Sequence, residues 1–336
     1  MEPDVEHLRW HRPPALKNPV VLAAFTGWND AGDAASTALK TLIETSGAEP
    51  LAEIDPEPFT DFATVRPLLR LDENGSRNII WPTVGVWSAS LPGTDVVMVL
   101  GPEPALRWRT FTEQITAVAQ RVGAPMVITL GALLADVPHT RPVHVIGTAS
   151  DDTLMERYDL ERSRYEGPTG IVGVIQDSLS RAGFPGASLW AAVPGYASQI
   201  PSPKAALALV ERVCEMMGTP APTADLADEA ADYDARVEAL ISDDDDLVIH
   251  IEQLEEIVDE MDDDEDTSGP IDLVKSYEMW VDLYLQRPYR GWHGHGTLSD
   301  LLQPWFEYRE ALPMPAREWF INQFTAFLMP DRPTAD

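Results

Sequence analysis

The chain has 336 residues, with 55 acidic against 24 basic side chains, a formal net charge of −31, 44% hydrophobic residues and one cysteine. The hydrophobic content is enough for a buried core and excludes a chain disordered throughout. The acidity argues against unaided binding to nucleic acid or anionic membranes, and the lone Cys214 excludes an intramolecular disulfide framework or a cysteine-rich zinc site.

Short apolar runs alternate with helix-period stretches over the first two hundred residues. Val20 to Phe25, Asn78 to Val86, Asp95 to Leu100, Met126 to Leu130, Val143 to Thr148 and Ser188 to Val193 read as strands. Several are continuous Val/Ile/Leu runs, the pattern of strands covered on both faces. Residues 31–45, 108–122, 170–182 and 203–217 read as helices, with Gly123 and Gly183 at C-cap positions and Pro203 in a first turn. This alternation predicts an α/β layered core with a largely parallel sheet over residues 1–218, closed by a Pro-rich linker at 219–223. Cys214 falls on the last of these helices and reads as a small buried hydrophobe. The polar stretch Met1 to Arg12 does not read as a signal peptide, and no run approaches the ~18 apolar residues of a membrane span. A soluble, cytoplasmic protein is expected.

The charge is concentrated. Residues 221–270 hold 20 acidic residues and one basic one, a net of −19, leaving −12 for the other 286. Within them Leu226, Ala230, Tyr233, Val237 and Leu240 recur at spacings of four and three, and Leu247, Ile251, Leu254, Val258 and Met261 repeat the pattern. The expectation is an acidic antiparallel helical hairpin over 219–270, broken at 242–246 and projecting from the core. Its acidic runs lack the spaced oxygens and central glycine of a calcium loop. Beyond it, residues 271–336 are aromatic-rich and read as a helical segment packing back on the core. His293 and His295 there make a poor metal site without an evident third ligand.

Ligands of open α/β sheets gather at the carboxyl ends of the strands, so the loops there carry the candidates. The first, residues 26–33, contains Gly27, Asp30, Gly32 and Asp33 and opens a helix. Its glycines suit a phosphate cradle, but two carboxylates already stand at that positive helix end, and the P-loop Lys-Ser/Thr is absent. The next loops bring Glu103 and Arg107, then Asp136, His139 and Arg141, and then Gly167, Thr169 and Gly170, with Thr169 a plausible N-cap. The carboxylates, guanidiniums and imidazole suit an acid/base or anion-binding crevice, or equally loop-fixing ion pairs and a subunit contact. No metal site and no cofactor is read from the residues.

The block from Pro19 to Ala35 resembles the opening of the proteasome assembly chaperone family, subtype two. Gly101 to Pro104, Leu130 to Pro142, Gly167 to Gly170 and Pro201 to Lys204 are similar to further blocks of its actinobacterial branch, in the same order. The acidic and C-terminal regions resemble that branch's extra helical region. The resemblance implies a core like that of nucleoside phosphorylases and hydrolases, a homo-oligomer (a trimer foremost) and a non-catalytic, proteasome-related protein-binding role. It departs at two places: Gly195 stands where a histidine is expected, and the chain ends Arg332-Pro-Thr-Ala-Asp336 rather than in a hydrophobic-Tyr docking motif. The alternative is an enzyme on the same fold, phosphorylase- or hydrolase-like, or the ATP-grasp-type carboxylate–amine ligase that relatives have been labelled. A basic protein is a further candidate partner for the acidic region.

Overall fold

Four of the apolar runs become the parallel centre of one sheet in a computed structural model that describes residues 6–263, apart from residues 73 and 243. The strands are β1 (Leu8–Trp10), β2 (Val20–Thr26), β3 (Glu49–Ile54), β4 (Leu68–Leu71), β5 (Arg77–Ile80), β6 (Val84–Leu91), β7 (Thr94–Pro102), β8 (Val127–Ala135), β9 (Val145–Ala149) and β10 (Gly186–Pro194). The helices are α1 (Ala34–Thr45), α2 (Trp108–Val122), α3 (Asp152–Tyr158), α4 (Ile171–Arg181), α5 (Pro203–Met217), α6 (Ala224–Ile241) and α7 (Asp245–Asp263). Eight strands lie in the order β1-β3-β6-β7-β2-β8-β10-β9. Neighbours from β7 to β10 are parallel, and antiparallel strands extend the sheet on both sides.

Strand periodicity sorts the side chains into two cores. Along β2, Val20, Leu22 and Ala24 join the cluster beneath α1 and α5, while Val21, Ala23 and Phe25 join the one beneath α2 and α4. Val96 and Met98 of β7 likewise face one way, and Val97 and Val99 the other. Each fully buried Leu, Ile or Phe contributes about 1.5–3 kcal/mol, so a one-residue slip of β2 would misplace the whole set. Two strand glycines admit tryptophans: a Cβ on Gly131 would come within 2.6 Å of the Trp190 ring, and one on Gly85 within 2.1 Å of Trp87.

The α/β layering matches expectation, and α2 and α5 occupy the expected residues. Elsewhere the chain departs from it. The stretch read as one strand, Asn78 to Val86, is two, because residues 81–83 separate β5 from β6. Among the described residues strand β5 pairs only with β4, in a separate two-stranded ribbon. Strand β3 carries Pro50 and glutamates at both faces, and this hid it from periodicity.

The acidic segment forms two helices, α6 and α7, and both lie against the core. Helix α6 packs on α5, and among the described residues α6 and α7 do not pair along their length. They share a small core of Tyr233, Val237, Ile241, Leu247 and Ile251 around Ala197. Ile241 takes the seam position expected of Leu240, which is exposed, because a straight helix at 3.6 residues per turn drifts from a strict heptad. The expectations for the 271–336 segment, with His293 and His295, lie outside the described residues.

Candidate functional site

The carboxyl ends of β2, β7, β8 and β10 bring the candidate loops to one end of the sheet, and there the candidates separate into two groups. The first is a bracket around Glu103. Its Oε1 accepts from the Nδ2 of Asn29 (2.7 Å) and from the backbone N–H of Ile171 (2.8 Å), the first residue of α4. Thr169 therefore does not cap α4; a carboxylate from another strand end does, with Gly170 in the flanking position. Gly170 is required for this approach, since a Cβ there would stand 2.2 Å from Asn29 Oδ1. Asn29 is fully buried, and its backbone oxygen accepts from the N–H of Ala132 (2.8 Å), tying β2 to β8. Gly27, at φ +120°, lies against Glu103, while Gly167 belongs to the exposed turn before α4.

Asp30 belongs to the same layer. Its Oδ1 accepts from the N–H groups of Ala35 (2.8 Å) and Ser36 (3.0 Å), so this carboxylate closes the first turn of α1. Burial raises the Asp30 pKa above the ordinary carboxylate value, against the opposing pull of those hydrogen bonds. Asp33 is exposed and left-handed at φ 51°. Gly32 brings the turn against Ser202 and Val193, and the N–H of Ser202 donates to its carbonyl oxygen (2.7 Å). The consequence is electrostatic. The positive ends of α1 and α4, where a phosphate would sit, each hold a carboxylate of the chain itself. Arg107 does not join either group: it is exposed and opens α2 in a left-handed conformation.

The second group is the loop after β8, and the acidic helices cover it. Asp136 Oδ1 lies 2.9 Å from Nε2 of His250 on α7, and Arg141 makes two 2.7 Å hydrogen bonds to the carboxylate of Asp259. Thr140 donates to Glu255, which also lies 3.5 Å from the Arg141 guanidinium. Lys204, at the start of α5, donates to the carbonyl of His139 and to both oxygens of Asp234 on α6 (2.9 and 3.0 Å). The ring of buried His139 is held by Tyr196, whose hydroxyl lies 3.0 Å from Nδ1 and accepts from the His139 N–H at 2.7 Å. Desolvation lowers the His139 pKa, favouring neutral imidazole. So Arg141 of the loop meets carboxylates of α7, and Lys204 beside the loop meets one of α6.

Asn29, Tyr196, Asp234 and His250 were not singled out from sequence. Each meets its partner across 30 to 114 residues of chain, and no local pattern marks it. Cys214 is buried on α5, where burial pushes its thiol up to about 11, away from nucleophilic use. Among the described residues no group of three or more His, Cys, Asp or Glu is placed to hold a metal ion, and no helix is long and apolar enough to cross a membrane. A cleft lined by Ile54, Phe59, Val84, Pro102 and Phe111 has about 180 Å³ of empty space, open solvent included, still below the ~300 Å³ at which small-molecule sites begin. It lies beside the Glu103 bracket, not within either group.

Comparison with known proteins agrees with the blocks noted in the sequence. The chain is 44% identical to a PAC2 family protein of Streptomyces avermitilis, with a TM-score of 0.65 over 69% of this chain and 99% of that one. It is 42% identical to a Mycobacterium tuberculosis proteasome-assembly chaperone homologue, at TM-score 0.63 over the same shares of the two chains. An archaeal proteasome activator of Pyrococcus furiosus shares the fold at 17% identity and TM-score 0.57, covering 69% of this chain and 97% of that one. No curated protein matches the chain. The profile of the PAC2 family matches residues 24–241, and the chain belongs to that family.

Proposed function

We propose that the protein is a non-catalytic, self-associating protein-binding factor of the cytoplasm, with proteasome-related partners and a trimer as its first candidate state. The observation that carries the reading is the occupation of the strand-end chemistry by the chain itself. Glu103 and Asp30 fill the helix ends that a nucleotide or phosphate would need. Asp136, His139, Arg141 and Lys204 are engaged by Tyr196, α6 and α7. An enzyme would leave at least one acid, base or anion site open to substrate. The description of the 42% identical relative as a proteasome-assembly chaperone homologue supports the choice of partner class. The strand-end candidates then serve as the scaffold that holds α6 and α7 in place for binding.

The test is to mix the purified chain with proteasome core subunits and follow assembly intermediates on native gels, with nucleosides and nucleotides assayed for turnover in parallel. A complex with subunits and no turnover is the expected result. Turnover that is lost in Glu103→Gln, with no complex formed, would reverse the reading.

A further inference from the structure

The β4–β5 ribbon stands outside both cores. Its register pairs Leu69 with Ile79 and Leu71 with Arg77 on one face, and Leu68 with Ile80 and Arg70 with Asn78 on the other. Leu68, Leu69, Leu71, Ile79, Ile80 and the following Trp81 are all between 44% and 65% exposed, so neither face of the ribbon is covered by the described residues. Trp81 meets Phe62 edge-on at 5.0 Å, which fixes only the root. A two-stranded ribbon is marginal by itself, and an apolar cluster of this size on a surface marks a contact site.

Its charge is opposite in sign to the molecule's, since residues 66–81 carry three arginines against Asp72 and Glu73. Arg66, Arg70 and Arg77 are exposed and, among the described residues, make no ion pair, unlike Arg141, which is held by Asp259. Asp72, at the ribbon's turn, is engaged by the N–H groups of Asn74 and Ser76. The complementary surface is on the same chain. The outward face of α7 presents exposed Ile249 and Ile257 with exposed Glu252 and Glu256 between them, within a segment of net charge −19. Ribbon and α7 face are both exposed within one copy, so neither covers the other there.

We propose that the ribbon of one copy seats on the outward acidic face of α7 in a second copy, apolar side chains against Ile249 and Ile257 and the arginines against Glu252 and Glu256. This rests on the self-association in the proposed function and names its surface. Such a contact joins two different patches, so repeated around an axis it closes a ring, and without closure it makes a filament. Burying arginines against carboxylates also excludes like-charged alternatives, so that register is set by charge and strength by the apolar pairs.

The experiment is sedimentation velocity on the full chain at micromolar concentrations. Arg70→Glu with Arg77→Glu, and separately Glu252→Arg with Glu256→Arg, are each expected to weaken self-association by about tenfold or more. The chain carrying all four substitutions is expected to return to within about threefold of wild type. Leu69→Ser tests the apolar half and is expected to weaken association without altering its dependence on salt. All these positions are exposed, so matching circular dichroism and melting confirm folding. An oligomer unchanged by the ribbon substitutions would overturn the inference while leaving self-association standing. A loss not rescued by the fourfold exchange would overturn the α7 seat, and a wild type that stays monomeric would overturn both.

Discussion

The two halves of the strand end are held by different physics. The Glu103 bracket ties β2, β7 and α4 through hydrogen bonds to a fully buried amide and a helix N–H. The loop 136–141 is instead covered by α7 through ion pairs whose members are partly exposed, Arg141 at 29% and Asp259 at 56%. Water and salt compete with the second and hardly reach the first. The bracket therefore belongs to the stability of the core, and the covered loop belongs to a contact that can loosen while the core stays folded.

Removing the bracket's carboxylate is the strongest way to break this division. Glu103→Ala leaves the Asn29 amide and the Ile171 N–H without their acceptor, which costs about 2 kcal/mol when partly buried donors are stranded. Urea unfolding of the whole chain is expected to show that loss as a lower midpoint at unchanged slope. Glu103→Gln keeps an oxygen acceptor in place and is expected to lose less. Equal losses in the two variants would mean that Glu103 acts through packing rather than through its hydrogen bonds.

Loosening α7 sharpens the comparison from the other side. Arg141→Ala removes the two hydrogen bonds to Asp259 and the approach to Glu255. Hydrogen exchange read by mass spectrometry is expected to quicken across α7 and residues 136–141, with β2, β7 and α4 unchanged. Raising salt on the wild type is expected to move the same peptides in the same direction by a smaller amount. Global unfolding should shift little in either case. Faster exchange in the core strands would show that α7 and the core form one cooperative unit.

Much of the core was legible because its signals are local. Pro203 and Gly123 mark helix ends by their own backbone preferences, and continuous runs such as Val20 to Phe25 announce strands buried on both faces. The site was legible only as a list. Glu103 and Arg141 were recognisable as chemistry-bearing residues at strand ends, but their roles depend on partners that arrive through tertiary structure: the α4 terminus for one, and Asp259, 118 residues away, for the other. Charge patterning announced the acidic helices but could not say where they lie. A stripe of carboxylates reads the same whether it faces water or a neighbouring guanidinium. The ribbon misled for a related reason, since its apolar residues look like core when read without their neighbours.

The mildest expected effect separates the two regions by pH. Burial raises the folded-state pKa of Asp30 above its ordinary value of 3.8, so the folded chain holds that proton more tightly than the unfolded chain does. By linkage, the stability from this group is fully present below the unfolded pKa and falls as pH rises through the folded one. The two N–H donors from Ala35 and Ser36 reduce the shift but do not reverse its sign. Asp30→Asn keeps an acceptor oxygen and cannot ionise. Its stability relative to wild type is therefore expected to improve as pH climbs from below 3.8 and then to level off, when both chains are followed by urea unfolding across the acid range. The covered loop answers in the opposite sense. His139, held neutral by burial, loses stability as pH falls through 6.5 toward its lowered folded-state pKa. A difference curve for Asp30→Asn that is flat through the acid range would mean that the carboxylate's burial is offset by its helix-capping bonds, and the bracket's advantage over the covered loop would then lie in Glu103 and Asn29 alone.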